Sequence, residues 1–311
     1  MLTRRTLVGG IAAAPLATAL SRSPAAAQEA GPVRIGSKNF TEQLILGEMY
    51  AQLLEQAGIP VELSLNLGGT AVAHAALVGG DISLYPEYTG TALTEVLETP
   101  IESVQATPVA DGASIDQLVY DIVREDYAAE FDLVWLDQVP FNNTQALAVK
   151  RAFAEEREIA TISELAVIAG ELTIVAPSDF IDRADGLEGL QAFYGMEFGE
   201  VLGVEPGIRY QALEEDQAEV VLAFGTDGQV AGLDLVLLED DEGLWPPYHV
   251  APVVRQDALD AYPELAETLN AVAPLLTDEA MAALNWQVDG PEGLEPDEVS
   301  RAFLEANGLL S

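Results

Sequence analysis

The stretch GDISLYPEYTGT (residues 80–91) decides how the first half of the chain is read. Gly79 and Gly80 stop a helical segment, ISLYP (82–86) reads as a strand, and YPEYTGT (85–91) crowds two tyrosines, a proline, a glycine and two threonines into the turn beyond it. Upstream, VRIG (33–36) is another strand. Leu46, Met49, Tyr50, Leu53, Leu54 and Ala57 then form the stripe of an amphipathic helix, ended by Gly58 and Pro60. VELSLNL (61–67) is the next strand and Thr70 opens a short helix. A β-α-β-α-β order with short connections predicts a parallel sheet covered by helices. Ligands bind outside the carboxyl ends of such strands, where Tyr88 falls; Tyr85 is expected to pack beneath the turn.

A second series begins at DLVWLDQVPFNNTQALAVKR (132–151), two apolar runs broken at Pro140. Thr161 and Glu164 have capping-box spacing, ELTIVAP (171–177) is a strand, AEVVLAFGTDG (218–228) is a strand running into a glycine turn, and LDLVLLEDD (233–241) is one more. Asp227 is expected to cap the helix after that turn. Residues 257–311 read as helices. The predicted fold is α/β with a second lobe inserted into the first: residues 31–139 and 250–311 form lobe 1, and residues 140–249 form lobe 2. Two crossover segments leave a cleft between them.

The chain of 311 residues carries 13 basic and 52 acidic residues, a formal charge of −39. Nucleic acid needs a basic face and is excluded as a partner. A surface this acidic fits a salty medium. No cysteine is present, which removes disulfides, thiol catalysis and thiolate metal sites together. Residues 1–27 hold a twin arginine (Arg4, Arg5), an apolar stretch from Leu7 to Leu20 and the run Ala25–Ala27. This predicts a twin-arginine export signal and a periplasmic mature protein. Two histidines cannot make a multi-histidine site, and no nucleophile elbow, P-loop or dinucleotide motif occurs, so neither an enzyme nor a cofactor is expected.

Eight strings carry a family resemblance: GSKNFTEQLILGEMYAQLLEQAG (36–58), NLGGT (66–70), GDISLYPEYTGTAL (80–93), FNNTQALAV (141–149), DRADGLEGLQAFYG (182–195), FGTDGQV (224–230), LEDDEGLWPPY (238–248) and LNWQVD (284–289). In this order and spacing the chain resembles the substrate-binding proteins of ABC importers for glycine betaine, choline and related osmoprotectants, over about residues 33–309. The resemblance implies a two-lobed periplasmic binding protein of type II-like fold. Such a protein closes on a small ligand and delivers it to a membrane permease with its own ATPase. A monomer is expected, and a non-transporting solute sensor is the alternative.

The resemblance also implies the site. Lys38, Tyr88 and Thr91 correspond to ligand-binding positions of the first lobe, and Arg183, Phe224 and Tyr248 to the remaining cation and aromatics. Gln145 stands where the family commonly has a tyrosine. The chemistry agrees. A trimethylammonium group has no ordinary N–H to donate and is held by ring faces worth about 0.5–2 kcal/mol each. A carboxylate wants fixed cations and hydroxyl donors. Two cations beside three rings favour a zwitterion, glycine betaine first, with carnitine, ergothioneine or choline as alternatives.

Overall fold

Strand β1 (Val33–Gly36) is almost wholly buried, as is β3 (Leu84–Tyr88), and strands buried on both faces belong inside a sheet covered by helices. The computed structural model describes residues 31–105, 114–183 and 185–310; the expected export signal lies outside the described residues. β1 pairs in parallel with β2 (Val61–Ser64) and with β3. The strand expected over 61–67 stops at Ser64, and Asn66 takes a positive φ of 60° just beyond it.

The remaining strands are β4 (Leu133–Trp135), β5 (Gln145–Lys150), β6 (Thr173–Pro177), β7 (Glu200–Val204), β8 (Val220–Phe224), β9 (Leu235–Leu237) and β10 (Val250–Arg255). They complete two five-stranded sheets, in the orders β2-β1-β3-β10-β4 and β7-β6-β8-β5-β9. Neither sheet is the purely parallel one expected. β10 runs antiparallel to β3 and β4, and β5 runs antiparallel to β8 and β9. The reason is connectivity: β5 and β10 are the strands that enter a sheet from the other side of the molecule, and they arrive pointing the opposite way. Apolar content reveals a strand but not its direction.

The helix Thr41–Gln56 buries its apolar stripe, with Ile45, Leu46, Met49 and Leu54 at 0% exposure. Helix Thr70–Gly79 ends at Gly80 in the left-handed conformation. Thr161 and Glu164 form the expected capping box, each side chain accepting from the other's backbone. At the carboxyl-terminal end, helix Asp278–Asp289 packs against helix Thr41–Gln56 on one side and against helix Gly228–Gly232 of the second sheet on the other. A side chain on Gly232 would meet the Trp286 ring at 2.3–2.7 Å, so glycine permits that approach.

Candidate ligand-binding site

The directions of the strands explain how distant residues meet. Tyr88 ends β3 and Phe224 ends β8, while Gln145 begins the antiparallel β5 and Tyr248 lies two residues before the antiparallel β10. Reversed strands present their first residues at the edge where parallel strands present their last, so Gln145 pairs with Phe224 in register and Val250 pairs with Tyr88. Lys38 follows β1, Thr91 closes the helical turn after β3, and Arg183 follows the short helix after β6. All seven residues expected from the sequence line one cavity of about 340 Å³, together with Phe40, Asn143, Arg209 and Thr226 among others.

Three cations line this cavity, and each already holds a carboxylate. Lys38 Nζ lies 2.6 Å from Glu87 Oε1, with both side chains nearly inaccessible. Glu87 also accepts from the Tyr85 hydroxyl at 2.7 Å, which leaves Tyr85 in the core and off the cavity wall. Burial lowers the Lys38 ammonium from its ordinary value, and Glu87 opposes that shift. Arg183 donates through Nε and Nη2 to the two oxygens of Asp185 at 2.7 and 2.6 Å, and its Nε is 3.1 Å from Glu95 on the first-sheet side. Burial works against the Arg183 charge, yet the hydrogen bonds of Asp185 and the neighbouring charges raise it above its ordinary value. For Asp185 burial pushes upward, but the bonds and charge of Arg183 hold the carboxyl below its ordinary value. Arg209 pairs with Asp227 at 2.5 Å.

Asp227 departs from its expected role. Its side chain caps no helix; it accepts from Arg209, from the Tyr210 hydroxyl at 2.6 Å and from the Phe224 backbone N–H at 2.7 Å. An acceptor offered a guanidinium, a hydroxyl and a strand-end amide has stronger partners than the first turn of a five-residue helix. The effect is to anchor Phe224 at the cavity edge.

The rings are partly engaged from within. Lys38 Nζ stands 5.3 Å from the Tyr88 ring centre, and the Arg209 guanidinium stands 5.3 Å from that of Phe224. Gly90 lies so close to Tyr248 that a side chain there would meet the ring at 2.8 Å. Phe40 adds a further ring, 6.1 Å from Tyr88 and tilted by 31°. Thr91 is 6% exposed and lines the cavity.

Glu42 is the functional candidate that the sequence reading missed. This carboxylate is 2% exposed and accepts four hydrogen bonds: Tyr88 Oη at 2.7 Å, Asn143 Nδ2 at 2.8 Å, Thr226 Oγ1 at 2.5 Å and Asn285 Nδ2 at 3.1 Å. Tyr88 and Asn285 belong to the first-sheet side, Asn143 and Thr226 to the polypeptide of the second. In the sequence Glu42 looks like an ordinary acidic residue in a helix's first turn. The signal that could have found it is that all four of its partners, Tyr88, Asn143, Thr226 and Asn285, sit in strings already singled out.

Two mixed sheets, each edged with side chains that meet those of the other around a single cavity, make a two-lobed solute-binding protein. Comparison with known proteins agrees. A model of the OpuAC family, described as the substrate binding domain of the ABC-type glycine betaine transport system, matches residues 31–306, and the chain belongs to that family. It is 33% identical over 291 residues to the glycine betaine-binding protein YehZ of Escherichia coli, covering 90% of this chain and 92% of that one. It is 34% identical over 295 residues to the ergothioneine transport permease/ergothioneine binding protein EgtU of Helicobacter pylori, where it covers 94% of itself but spans only 51% of that longer relative. Among solved structures, that of a glycine betaine/carnitine/choline ABC transporter superposes with a TM-score of 0.72 at 30% identity, covering 90% of this chain and all of that one.

Proposed function

We propose that the protein is the periplasmic substrate-binding component of an ABC importer for glycine betaine or a related carboxylate-bearing onium zwitterion. The observation that carries this reading is the convergence of Tyr88, Phe224 and Tyr248 with Lys38, Arg183 and Thr91 on one cavity. The rings would hold the cationic head, while Arg183, Lys38 and the Thr91 hydroxyl would take the carboxylate. Binding, not catalysis, is the activity. Carnitine, ergothioneine and choline remain as alternative ligands.

On this reading lobe 1 comprises residues 31–139 and 250–311 and lobe 2 comprises residues 140–249. Each contributes part of the site, so the closed form is favoured only when the ligand touches both. Residues 1–27 direct export by the twin-arginine route. The mature protein works as a monomer that presents its ligand to a permease coupled to an ATPase.

Calorimetric titration of the mature protein with glycine betaine, choline, carnitine and ergothioneine tests the proposal. Binding of a carboxylate-bearing compound in preference to choline is expected. Silence from all four, or a preference for choline, would overturn the two-ended site.

A further inference from the structure

Gln145 occupies the middle of the cavity's aromatic edge. It pairs in register with Phe224, and its Nε2 lies 3.1 Å from the Tyr248 hydroxyl. The same Nε2 donates to Asp185 Oδ2 at 3.0 Å. These two partners fix which way the amide points. An ionised carboxylate only accepts, and the Tyr248 hydroxyl spends its proton on Asp185 Oδ2 at 3.0 Å, so it too presents a lone pair to Gln145. Reversing the amide would aim its oxygen at two acceptors. The side chain is therefore locked with Nε2 toward Asp185 and Oε1 elsewhere.

Among the described residues, that oxygen has no hydrogen-bond donor. Both of the side-chain hydrogen bonds of Gln145 among the described residues use Nε2, the residue is only 4% exposed, and it lines the cavity. An acceptor without an internal donor, on a cavity-lining side chain this buried, is satisfied by what fills the cavity. The neighbouring rings strengthen the point. Tyr88 and Phe224 each already face an internal cation, Lys38 and Arg209, which weakens what they offer to a second cation. A ligand that brings a directional donor to Gln145 gains a contact that a fully methylated head cannot make.

We infer that Gln145 Oε1 is a specificity-determining acceptor that selects, within the onium zwitterions, those bearing an O–H or N–H donor at or next to the cationic head. The inference rests on the function proposed above and narrows its ligand. Asp185 and Tyr248 act as positioning residues for that amide, through the bonds that set its orientation.

Two matched pairs of compounds test it. N,N-dimethylglycine, protonated at neutral pH, differs from glycine betaine by an N–H in place of one methyl group. Carnitine differs from γ-butyrobetaine by one hydroxyl. Calorimetry on the wild-type protein should show the donor-bearing member of at least one pair binding about 10-fold more tightly or better, the scale of one well-made hydrogen bond to a charged or polarised group. Gln145→Leu should erase that preference, so that the two members of the pair bind within about threefold of each other whatever the change in their common affinity. A ligand-free thermal melt, with Gln145→Met as a second variant, keeps the test independent of folding defects.

The dimethylglycine pair reports an N–H donor and the carnitine pair an O–H donor. If the donor-free member of each pair binds as tightly as its partner, or if Gln145→Leu retains the preference, the inference falls and the onium-zwitterion function stands. If none of the four compounds binds to folded protein, the inference falls together with the function on which it rests.

Discussion

Glu42 Oε2 accepts a hydrogen bond from Thr226 Oγ1 at 2.5 Å, joining the first helix of one lobe to the turn after β8 of the other. Asn143 reaches the same carboxylate from the second lobe's side, and Tyr88 from the first. The residue that fixes the Tyr88 ring as a cavity wall is therefore also a tie between lobes. Ring position and lobe position are coupled through one buried acid.

Burial raises the Glu42 carboxyl above its ordinary value of 4.5, against the four donors that favour its ionised form. A carboxyl raised in the folded state stabilises the fold fully below its unfolded pKa, and that contribution is lost as pH climbs through the folded value. The stability advantage of the wild-type protein over Glu42→Gln is expected to be larger near about pH 4 than near about pH 8. Urea melts of both proteins at the two pH values measure it. An advantage that grows with pH would show instead that the four donors outweigh burial.

Replacing Arg183 by Ala should separate the two ends of the ligand. Removing a guanidinium that touches a carboxylate costs about 1.5–3 kcal/mol, so glycine betaine should bind about 10- to 100-fold more weakly. Choline, which has no carboxylate, should bind unchanged or more tightly, since Asp185 and Glu95 would lose their shared counter-ion. Titration of both ligands reads the difference. Equal losses for the two would remove Arg183 from the carboxylate end.

Lys38→Met leaves Glu87 charged, buried and without its cation, and should cost about 3–5 kcal/mol of stability. The double variant Lys38→Met, Glu87→Leu should recover much of that loss, because the uncompensated charge goes with its partner. A double-mutant cycle in urea measures the coupling. Additive losses would show that the pair is held apart by solvent.

Much of this arrangement can be read in the residues themselves. The strands ending at Tyr88 and Phe224, the helix from Thr41 and the capping box at Thr161 follow from apolar period and local hydrogen-bonding chemistry. Lys38, Gln145 and Arg183 stand out because short strings around them match a family at the right spacing. What stays hidden is tertiary. Nothing local tells that β5 and β10 run backwards, although this reversal brings Gln145 and Tyr248 to the edge where Tyr88 and Phe224 end. Glu42, Glu87 and Asp185 are three acids among 52, and only the folded chain distinguishes a carboxylate held by internal donors from a solvated surface charge.

Lys38, Arg183 and Arg209 each keep a carboxylate of their own beside the cavity. Each of these cations is thus matched before anything arrives, while Glu42 on the same wall is held by uncharged donors alone. On the function proposed above, a zwitterion would bring as much positive charge as negative, so its capture would leave the net charge of the protein unchanged. Salt screens the exposed part of the overall −39 far more than it screens these buried pairs.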